Sequence, residues 1–271
     1  MVYQFARPGA SPRVGEAPLT DPFITRLLSL GGLTPEQAGL LAAMQGPPRQ
    51  LPSHTEIGRG GGARGSAYVM HEGWALTYMP LADGRRHVHG FLLPGNLVRL
   101  GDLLGAETGS GVETVTDAVV AEISMESLRR ASDYWPELFD LLLLLQSRVE
   151  LALVDQLVNL GRRDGRARVA HFLLRLERRL LRIGLAGPDG YACPISQYAI
   201  ADALGFTPIH VNRILRALRE EGVVTLRNHR VTIHDRVRLR EITGEEQIED
   251  TDNGVATNSG VALVHAGSRF T

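Results

Sequence analysis

The sequence predicts an α+β fold in which a β-rich half precedes a helical half, and three observations support this. Residues 51–123 are rich in glycine and combine short apolar runs with recurring turn signals, which is typical of a compact antiparallel β sandwich or barrel. Residues 136–160 are apolar at helical spacing, which predicts one long helix. Residues 196–233 combine two capped helices with two short strands, the pattern of a winged helix-turn-helix.

The bulk composition limits the kinds of protein that the chain can be. Its 271 residues are enough for two modest domains with a normal core. One cysteine, Cys193, excludes a disulfide framework and a multi-cysteine metal site, and it fits a reduced, cytoplasmic setting. Residues 1–20 contain no apolar run, so we expect no signal peptide, and the longest apolar run, 141–145, is too short to span a bilayer.

Basic residues concentrate in the second half of the chain. All 29 basic residues are arginine, and the formal net charge is −1. Residues 162–240 hold 16 arginines against seven acidic residues, whereas the remainder holds 13 against 23. A basic domain in a neutral chain is expected to meet a polyanion, and the alternative is an arginine-rich surface without a specific partner.

The segments that flank these regions carry weaker patterns. Residues 1–20 are expected to form a flexible arm. Residues 22–47 carry two short helical patterns, and Thr34 before Pro35 fits the N-cap of the second. Residues 184–190 are expected to be a loop, and the polar tail over 241–271, in which acidic residues cluster, is expected to be disordered.

A β-hairpin is predicted inside the β-rich region. Residues 74–78 and 87–91 have strand character, and Asp83-Gly84 is a turn signal between them. The neighbouring Arg85-Arg86 pair is expected to lie in a solvated turn. His87 and His89 alternate along the second strand, so they are expected to face the same side.

The long helix carries more apolar surface than one packing partner covers. The run 141–145 is apolar around most of a turn, and apolar residues recur at helical spacing up to Leu160. A helix of about 25 residues is about 37 Å long. We expect the same helix of a second subunit to cover its second face, and the alternative is a helix packed only within its own chain. A further helix is predicted over 166–183.

The helix-turn-helix is predicted from its caps. Ser196 fits the N-cap of a short helix over 197–204, and Gly205 can adopt the positive φ that a tight turn between helices needs. A second helix is expected over 207–221, with Thr207 as its N-cap and Pro208 at its first position, where the missing N–H costs nothing.

The second helix has two faces of different chemistry. Its inner face is apolar and consists of Val211, Ile214, Leu215 and Leu218. Its outer face consists of Ile209, Asn212, Arg213 and Arg216. Arginine pairs with guanine and asparagine with adenine in the major groove, so the outer face predicts DNA recognition. The alternative is an ordinary helical hairpin with a solvated basic face.

Two short strands, 223–226 and 230–233, are joined across Asn228-His229 and form the predicted wing. Arginines there can meet phosphates, and the helix start at Gln197 can hold another phosphate. The predicted DNA-binding residues are Gln197, Thr207, Pro208, Ile209, His210, Asn212, Arg213, Arg216, Arg227 and Arg230.

These residues resemble the family of the cyclic-AMP receptor protein and FNR, bacterial transcription regulators. In the second half the resemblance rests on SQYAIADALGFT at 196–207 and HVNRIL at 210–215. In the first half it rests on EGWA at 72–75, DGRR at 83–86 and FLLPGN at 91–96. The resemblance covers roughly residues 22–238.

The resemblance implies a homodimer with a sensor in each subunit. The expected units are an arm (1–20), a β-roll sensor domain of the double-stranded β-helix, jelly-roll type (21–130), a dimerisation helix (131–163), a winged helix-turn-helix DNA-binding domain (164–240) and an acidic tail (241–271). The implied partners are double-stranded DNA, a second copy of the chain, RNA polymerase and a small-molecule or redox signal, with no membrane.

The chain departs from the cyclic-AMP-binding members of the family. Those members carry a Gly-Glu pair followed about ten residues later by an Arg-Ser pair. Here Gly101-Asp102 is the nearest equivalent of the Gly-Glu pair, and Glu113-Thr114 occupies the position of the Arg-Ser pair. An acid there repels a cyclic phosphate, so we expect no cyclic-AMP binding. The candidate effector-binding residues are Arg99, Asp102, Glu113 and Thr114.

No resident cofactor is evident from the sequence. Oxygen-sensing members bind an iron–sulfur cluster through several N-terminal cysteines, whereas Cys193 is the one cysteine here. It is expected to be a small buried or semi-buried residue, and the alternative is a redox sensor. Haem-bound relatives exist, so His71, His87 or His89 is conceivable as an axial ligand. The alternative is surface or hydrogen-bonded histidines on a hairpin.

The recognition helix also departs from the usual family pattern. Many members carry a Glu, a Ser or Gly, and an Arg there. Arg213 matches the Arg, but Ile209 and Asn212 replace the other two, so a different half-site is expected, and Ile209 can contact a thymine methyl. The alternative function is a ligand or haem sensor that acts through protein partners with a degenerate DNA domain. The sequence carries no enzyme motif, so we expect no enzymatic activity.

Overall fold

The computed structural model describes residues 21–58, 65–98 and 109–244. The predicted arm at 1–20 lies outside these ranges, as does the tail from 245 onward. None of the described helices combines the length and the apolar character needed to cross a membrane.

The chain enters the fold through two capped helices, α1 (Pro22–Leu30) and α2 (Pro35–Ala43). Thr34 accepts a hydrogen bond from the Gln37 N–H, and the Gln37 side chain accepts one from the Thr34 N–H. This reciprocal pair satisfies two N–H groups at the helix start. The predicted N-cap at Thr34 is therefore confirmed.

In the described part of the β-rich region, seven strands form two facing sheets. They are β1 (Arg49–Leu51), β2 (Ser66–Glu72), β3 (Ala75–Pro80), β4 (Arg86–Leu92), β5 (Leu97–Val98), β6 (Gly111–Thr114) and β7 (Ala118–Ser124). The strand orders are β1-β7-β2-β5 and β4-β3-β6. Side chains from both sheets, including Tyr68, Met70 and Val112, form one buried cluster. The predicted jelly-roll class is confirmed.

The predicted hairpin is β3–β4, and it contains a bulge. Thr77 lies opposite Gly90, whereas Tyr78 lies opposite Val88, so His89 is an extra residue on β4. The extra residue shifts the alternation, and the buried residues of the strand are Val88 and Phe91, three apart.

Two helices follow the sheets, α3 (Met125–Tyr134) and α4 (Pro136–Arg162). The long helix predicted over 136–160 is confirmed and extends to Arg162. Its first half contributes Leu138, Leu141, Leu142 and Leu145 to a core that it shares with α1 and α2.

The C-terminal domain contains four helices and a four-stranded sheet. The helices are α5 (Gly165–Leu181), α6 (Gln197–Leu204), α7 (Pro208–Glu220) and α8 (Arg236–Thr243). The strands are β8 (Ala186–Gly187), β9 (Gly190–Ala192), β10 (Val224–Arg227) and β11 (Arg230–Ile233), in the order β10-β11-β9-β8. The fold class is as predicted, with two local corrections. The loop predicted over 184–190 contains β8, and residues 241–243, predicted as tail, are helical.

The β3–β4 hairpin packs against the C-terminal domain. The rings of Phe91 and Phe172 meet edge to face, with centroids 5.7 Å apart. Arg179 donates hydrogen bonds to the Phe91 carbonyl at 2.6 Å and to the Asn96 side chain at 3.1 Å. Burial and then the neighbouring arginines lower the pKa of Arg179 to about 9. The contacts between the two domains therefore include the apolar packing of Phe91 on Phe172 and the hydrogen bonds of the Arg179 guanidinium.

Candidate DNA-binding interface

The helix-turn-helix is held by the caps that the sequence predicts. The Ser196 hydroxyl accepts from the Ala199 N–H at 3.1 Å, and the Thr207 hydroxyl accepts from the His210 N–H at 3.3 Å. Gly205 ends α6 in the left-handed conformation, with φ 69°. The side-chain caps therefore fix the first residue of each helix, and the turn at Gly205 sets the direction of α7 relative to α6.

Helix α7 presents the two faces that its spacing predicts. Val211, Ile214, Leu215 and Leu218 are buried in the core of the C-terminal domain. Asn212, Arg213 and Arg216 are exposed on the outer side, and Ile209 is 82% exposed at the N-terminal end. An exposed isoleucine side chain is apolar surface in contact with water. Contact with a thymine methyl removes part of that surface from water.

The wing places two arginines side by side. Arg227 and Arg230 are directly opposed on β10 and β11, and both are exposed. The turn between them consists of Asn228 and His229, both with positive φ, at 49° and 55°. Like charges that face each other across a sheet are destabilising, and a phosphate group placed near both relieves the repulsion.

The exposed arginines of α7 and the wing are not neutralised by carboxylates of the described residues. In the described ranges no carboxylate forms an ion pair with Arg213, Arg216, Arg227 or Arg230. Of the other predicted residues, Thr207 is exposed, whereas Gln197, Pro208 and His210 are half-buried. The structure brings the predicted DNA-binding residues onto α6, α7 and the wing of one domain.

Tyr198 lies beside Gln197 at the start of α6 and is not among the residues that the sequence pattern predicts to bind DNA. It is 72% exposed, while Ala199, Ile200 and Ala203 of the same helix are buried. The helical spacing of the buried residues leaves Tyr198 off the core face, so the sequence did contain the signal. A large exposed aromatic ring beside a basic surface is a further candidate contact.

Helix α4 exposes an apolar surface along much of its length. The set comprises Phe139, Leu143, Val149, Leu151, Leu153, Val154, Leu157 and Val158. Leu157 is 69% exposed and Leu151 64%. Scattered exposed leucines are ordinary, but many large exposed apolar side chains on one helix indicate an interaction surface.

Of the four candidate effector residues, the structure describes Glu113 and Thr114, and both are engaged by other groups of the protein. Arg99 and Asp102 lie outside the described residues. Glu113 accepts from Arg86 at 2.9 Å and lies 3.2 Å from His54. Thr114 is buried, and its hydroxyl donates to the Pro52 carbonyl at 2.7 Å and accepts from the Thr55 N–H at 2.8 Å.

Arg86 corrects the expectation of a solvated Arg85-Arg86 turn. Arg85 is exposed and pairs with Asp83, as expected for such a turn. Arg86 is half-buried and pairs with Glu113 of β6 at 2.9 Å and with Asp202 of α6 at 3.2 Å. One guanidinium therefore connects the β4-β3-β6 sheet to the first helix of the helix-turn-helix.

Two of the three candidate haem ligands, His71 and His89, have hydrogen-bonding partners in the protein, and the haem hypothesis stays a prediction. His71 contacts Gln45 at 2.9 Å, and His89 contacts Thr77 and Ser110 at 3.2 and 3.3 Å. Burial, and then the charge of His87, lowers the pKa of His89. Within 21–58, 65–98 and 109–244, no three His, Cys, Asp or Glu side chains group as a metal site.

Cys193 is buried, as predicted. Burial raises the pKa of its thiol to about 11. The reactive thiolate form is therefore disfavoured at neutral pH.

Both halves of the chain match known families. Residues 167–242 match the Crp-like helix-turn-helix domain, and residues 48–133 match the cyclic nucleotide-binding domain. The nitrogen fixation regulation protein FixK of Azorhizobium caulinodans is 30% identical over 210 residues, which cover 76% of this chain and 82% of the relative. FixK of Bradyrhizobium diazoefficiens is 31% identical over 174 residues, which cover 64% and 72%.

A solved structure agrees with these matches. FixK2 from Bradyrhizobium japonicum superimposes with a TM-score of 0.64 at 26% sequence identity. The superposition covers 74% of this chain and 98% of the FixK2 chain. The similarity therefore extends over both domains.

Proposed function

Because the chain belongs to the CRP/FNR family of DNA-binding transcription regulators, we propose that it acts as a homodimer that binds a pseudo-palindromic DNA site through α7. The observation that carries the proposal is the division of α7 into a buried apolar face and an exposed face with Asn212, Arg213 and Arg216. The buried face fixes the helix to its domain, and the exposed face is free to enter a major groove.

Dimerisation supplies the second recognition helix. Helix α4 has 27 residues, so it is about 40 Å long at 1.5 Å per residue. Packing its exposed apolar set against the same set of a second copy removes that surface from water. A two-fold pair then places two α7 helices about 34 Å apart, one turn of DNA.

Each predicted DNA-binding residue has a role in this arrangement. Arg213 donates two hydrogen bonds to a guanine edge, Asn212 pairs with adenine, and Ile209 contacts a thymine methyl. The remaining residues position the domain on the backbone: Gln197, Thr207, Pro208, His210, Arg216, Arg227 and Arg230. Pro208 acts through the first turn of α7, since it has no N–H to donate.

The signal that controls binding differs from cyclic AMP in this proposal. Glu113 is an acid where a phosphate ligand needs a cation, and its charge is already paired with Arg86. We propose a small-molecule or redox signal at the sensor domain, RNA polymerase as the protein partner, a cytoplasmic location and no catalytic activity. The signal shifts the population of dimers whose recognition helices are correctly spaced.

A direct experiment selects duplexes from a random pool with the wild-type protein and measures their affinity. Arg213→Ala is expected to weaken binding by about 1–3 kcal/mol and to relax the preference for one base pair. Glu220→Gln, at the far end of α7, is the matched control and is expected to keep both the affinity and the base preference of the wild-type protein. The proposal fails if the wild-type protein enriches no sequence. That result is the one expected for the alternative, a sensor with a degenerate DNA domain.

A further inference from the structure

A connected set of side chains links the end of α4 to the recognition arginine. It starts at Arg168 on α5, which donates to the Leu160 carbonyl at 2.7 Å and the Arg163 carbonyl at 3.2 Å. Arg168 also donates to the Leu204 carbonyl at 3.1 Å, at the end of α6. Its guanidinium carbon lies 4.8 Å from the ring centroid of Phe206, within cation–π range. Arg168 thus binds the ends of two helices and the turn between α6 and α7.

Phe206 contacts His210, the third residue of α7, and so connects Arg168 to α7. The two ring centroids are 4.7 Å apart, with the planes inclined by 48°. On its other side His210 approaches the start of α5, where a Cβ on Gly165 would lie 3.1 Å from the His210 Nε2. The imidazole is therefore held between the turn and the first residue of α5.

His210 in turn contacts the arginine that is expected to recognise guanine. Its Nδ1 lies 2.9 Å from Nη2 of Arg213, three residues further along α7. A guanidinium has only donors, so His210 must accept, with its own proton on Nε2. Arg213 has five N–H donors, and a bidentate contact with guanine uses two. The contact with His210 leaves enough donors for the base.

We propose that His210 is a positioning residue: it holds the Arg213 guanidinium in the orientation that recognises guanine, and Phe206 and Arg168 tie that orientation to the end of α4. Arg213 is exposed, and a long flexible side chain loses rotamer freedom when it binds. A contact made before binding removes part of that cost. This inference rests on the proposed function, and it replaces the direct DNA contact expected for His210.

The test measures base discrimination rather than affinity alone. The probes are a duplex selected by the wild-type protein and the same duplex with the base pair recognised by Arg213 exchanged. His210→Ala is expected to reduce the affinity ratio of the two about fivefold, the factor of one ordinary hydrogen bond. His210→Gln, whose side-chain oxygen also accepts, is expected to restore most of the ratio. The salt dependence of binding is expected to stay unchanged.

A double-mutant cycle separates positioning from direct contact. In an Arg213→Ala background, His210→Ala is expected to leave the affinity ratio unchanged. A further loss of ratio there means that His210 contacts the base itself and overturns the inference. An equal loss of affinity for both duplexes, with a smaller salt slope, means a phosphate contact and also overturns it.

The binding preference of the wild-type protein separates a failure of the proposed function from a failure of the role given to His210. If the wild-type protein prefers no duplex, the proposed function and this inference both fail. If it has a preference that His210→Ala leaves intact, only this inference fails. Thermal unfolding of each variant shows whether a loss of discrimination arises from misfolding, and the fold of His210→Gln provides the same check.

Discussion

Helices α4 and α7 each bury one face and expose another, but the exposed faces differ in chemistry. On α4 the exposed set is apolar and includes Leu151 and Leu157. On α7 the exposed face carries Asn212, Arg213 and Arg216, with one apolar residue, Ile209. An apolar face is stabilised by another apolar surface, whereas a cationic face is stabilised by an anion.

The comparison indicates what kind of partner each helix needs. Helix α4 is suited to a protein surface, and a second copy of itself is the partner that symmetry provides. Helix α7 is suited to the base edges and phosphates of DNA. Exposure alone says little, because both helices are exposed; the chemistry of the exposed side chains separates the two roles.

The largest effect is expected from charges on α4. Leu151→Glu combined with Leu157→Glu places repelling carboxylates in the proposed dimer surface, so the dimer is expected to dissociate. DNA affinity is then expected to fall about 100-fold or more, since the advantage of two linked recognition helices is lost. Sedimentation equilibrium and DNA titration measure the two effects.

The matched control for this pair lies on α8. Val237 is 70% exposed, similar to Leu157, but it lies outside the exposed set of α4. Val237→Glu is expected to leave the dimer intact. A wild-type protein that sediments as a monomer would contradict the role assigned to α4.

A second prediction separates the two faces of α7. Leu218→Ala on the buried face is expected to lower the free energy of unfolding by about 2–5 kcal/mol, because it removes packed core volume. Arg216→Ala on the exposed face is expected to change it by less than about 0.5 kcal/mol. Urea denaturation followed by circular dichroism measures both, and similar losses for the two variants argue against the assigned faces.

The wing is expected to contribute less than α7. Arg227→Ala removes one proposed phosphate contact, so the slope of log affinity against log salt is expected to decrease in magnitude by about 0.9. The preference among sequences is expected to stay the same, because a phosphate contact carries no base information. An unchanged salt slope shows that the wing does not touch the backbone.

The smallest effect concerns pH and the β3–β4 hairpin. Burial, and then His87, lowers the pKa of His89, so the unfolded chain binds a proton there more readily than the folded chain. Stability from this group is present above the ordinary imidazole pKa of about 6.5 and declines as the pH falls below it. His89→Asn is expected to flatten the pH dependence of unfolding between pH 7 and 5, whereas identical curves exclude this contribution.

Features set by local chemistry were predictable from the sequence. The caps at Ser196 and Thr207, the turn at Gly205 and the two faces of α7 all follow from residues within one or two helical turns. The length of α4 follows from an apolar pattern that continues over about 25 residues, and the burial of Cys193 follows from the general tendency of a free cysteine to be buried. Domain limits and individual DNA contacts remain predictions.

Features set by distant partners were not predictable. The pairing of Arg86 with Asp202 joins residues 116 positions apart, and the bulge at His89 depends on register with β3. Strand β8 has two residues, too few for a periodic pattern, and it pairs with β9. The stack of Arg168 on Phe206 likewise depends on how α5 packs against the turn.

The spacing of half-sites tests the central proposal most directly. Duplexes carrying two selected half-sites at varied separation are titrated with the wild-type protein, and the number of bound chains is measured by sedimentation. We expect two chains per duplex and the tightest binding when the half-site centres lie about 34 Å apart on one face of the DNA. One chain per duplex, or an affinity independent of spacing, contradicts a dimer that presents two α7 helices to DNA.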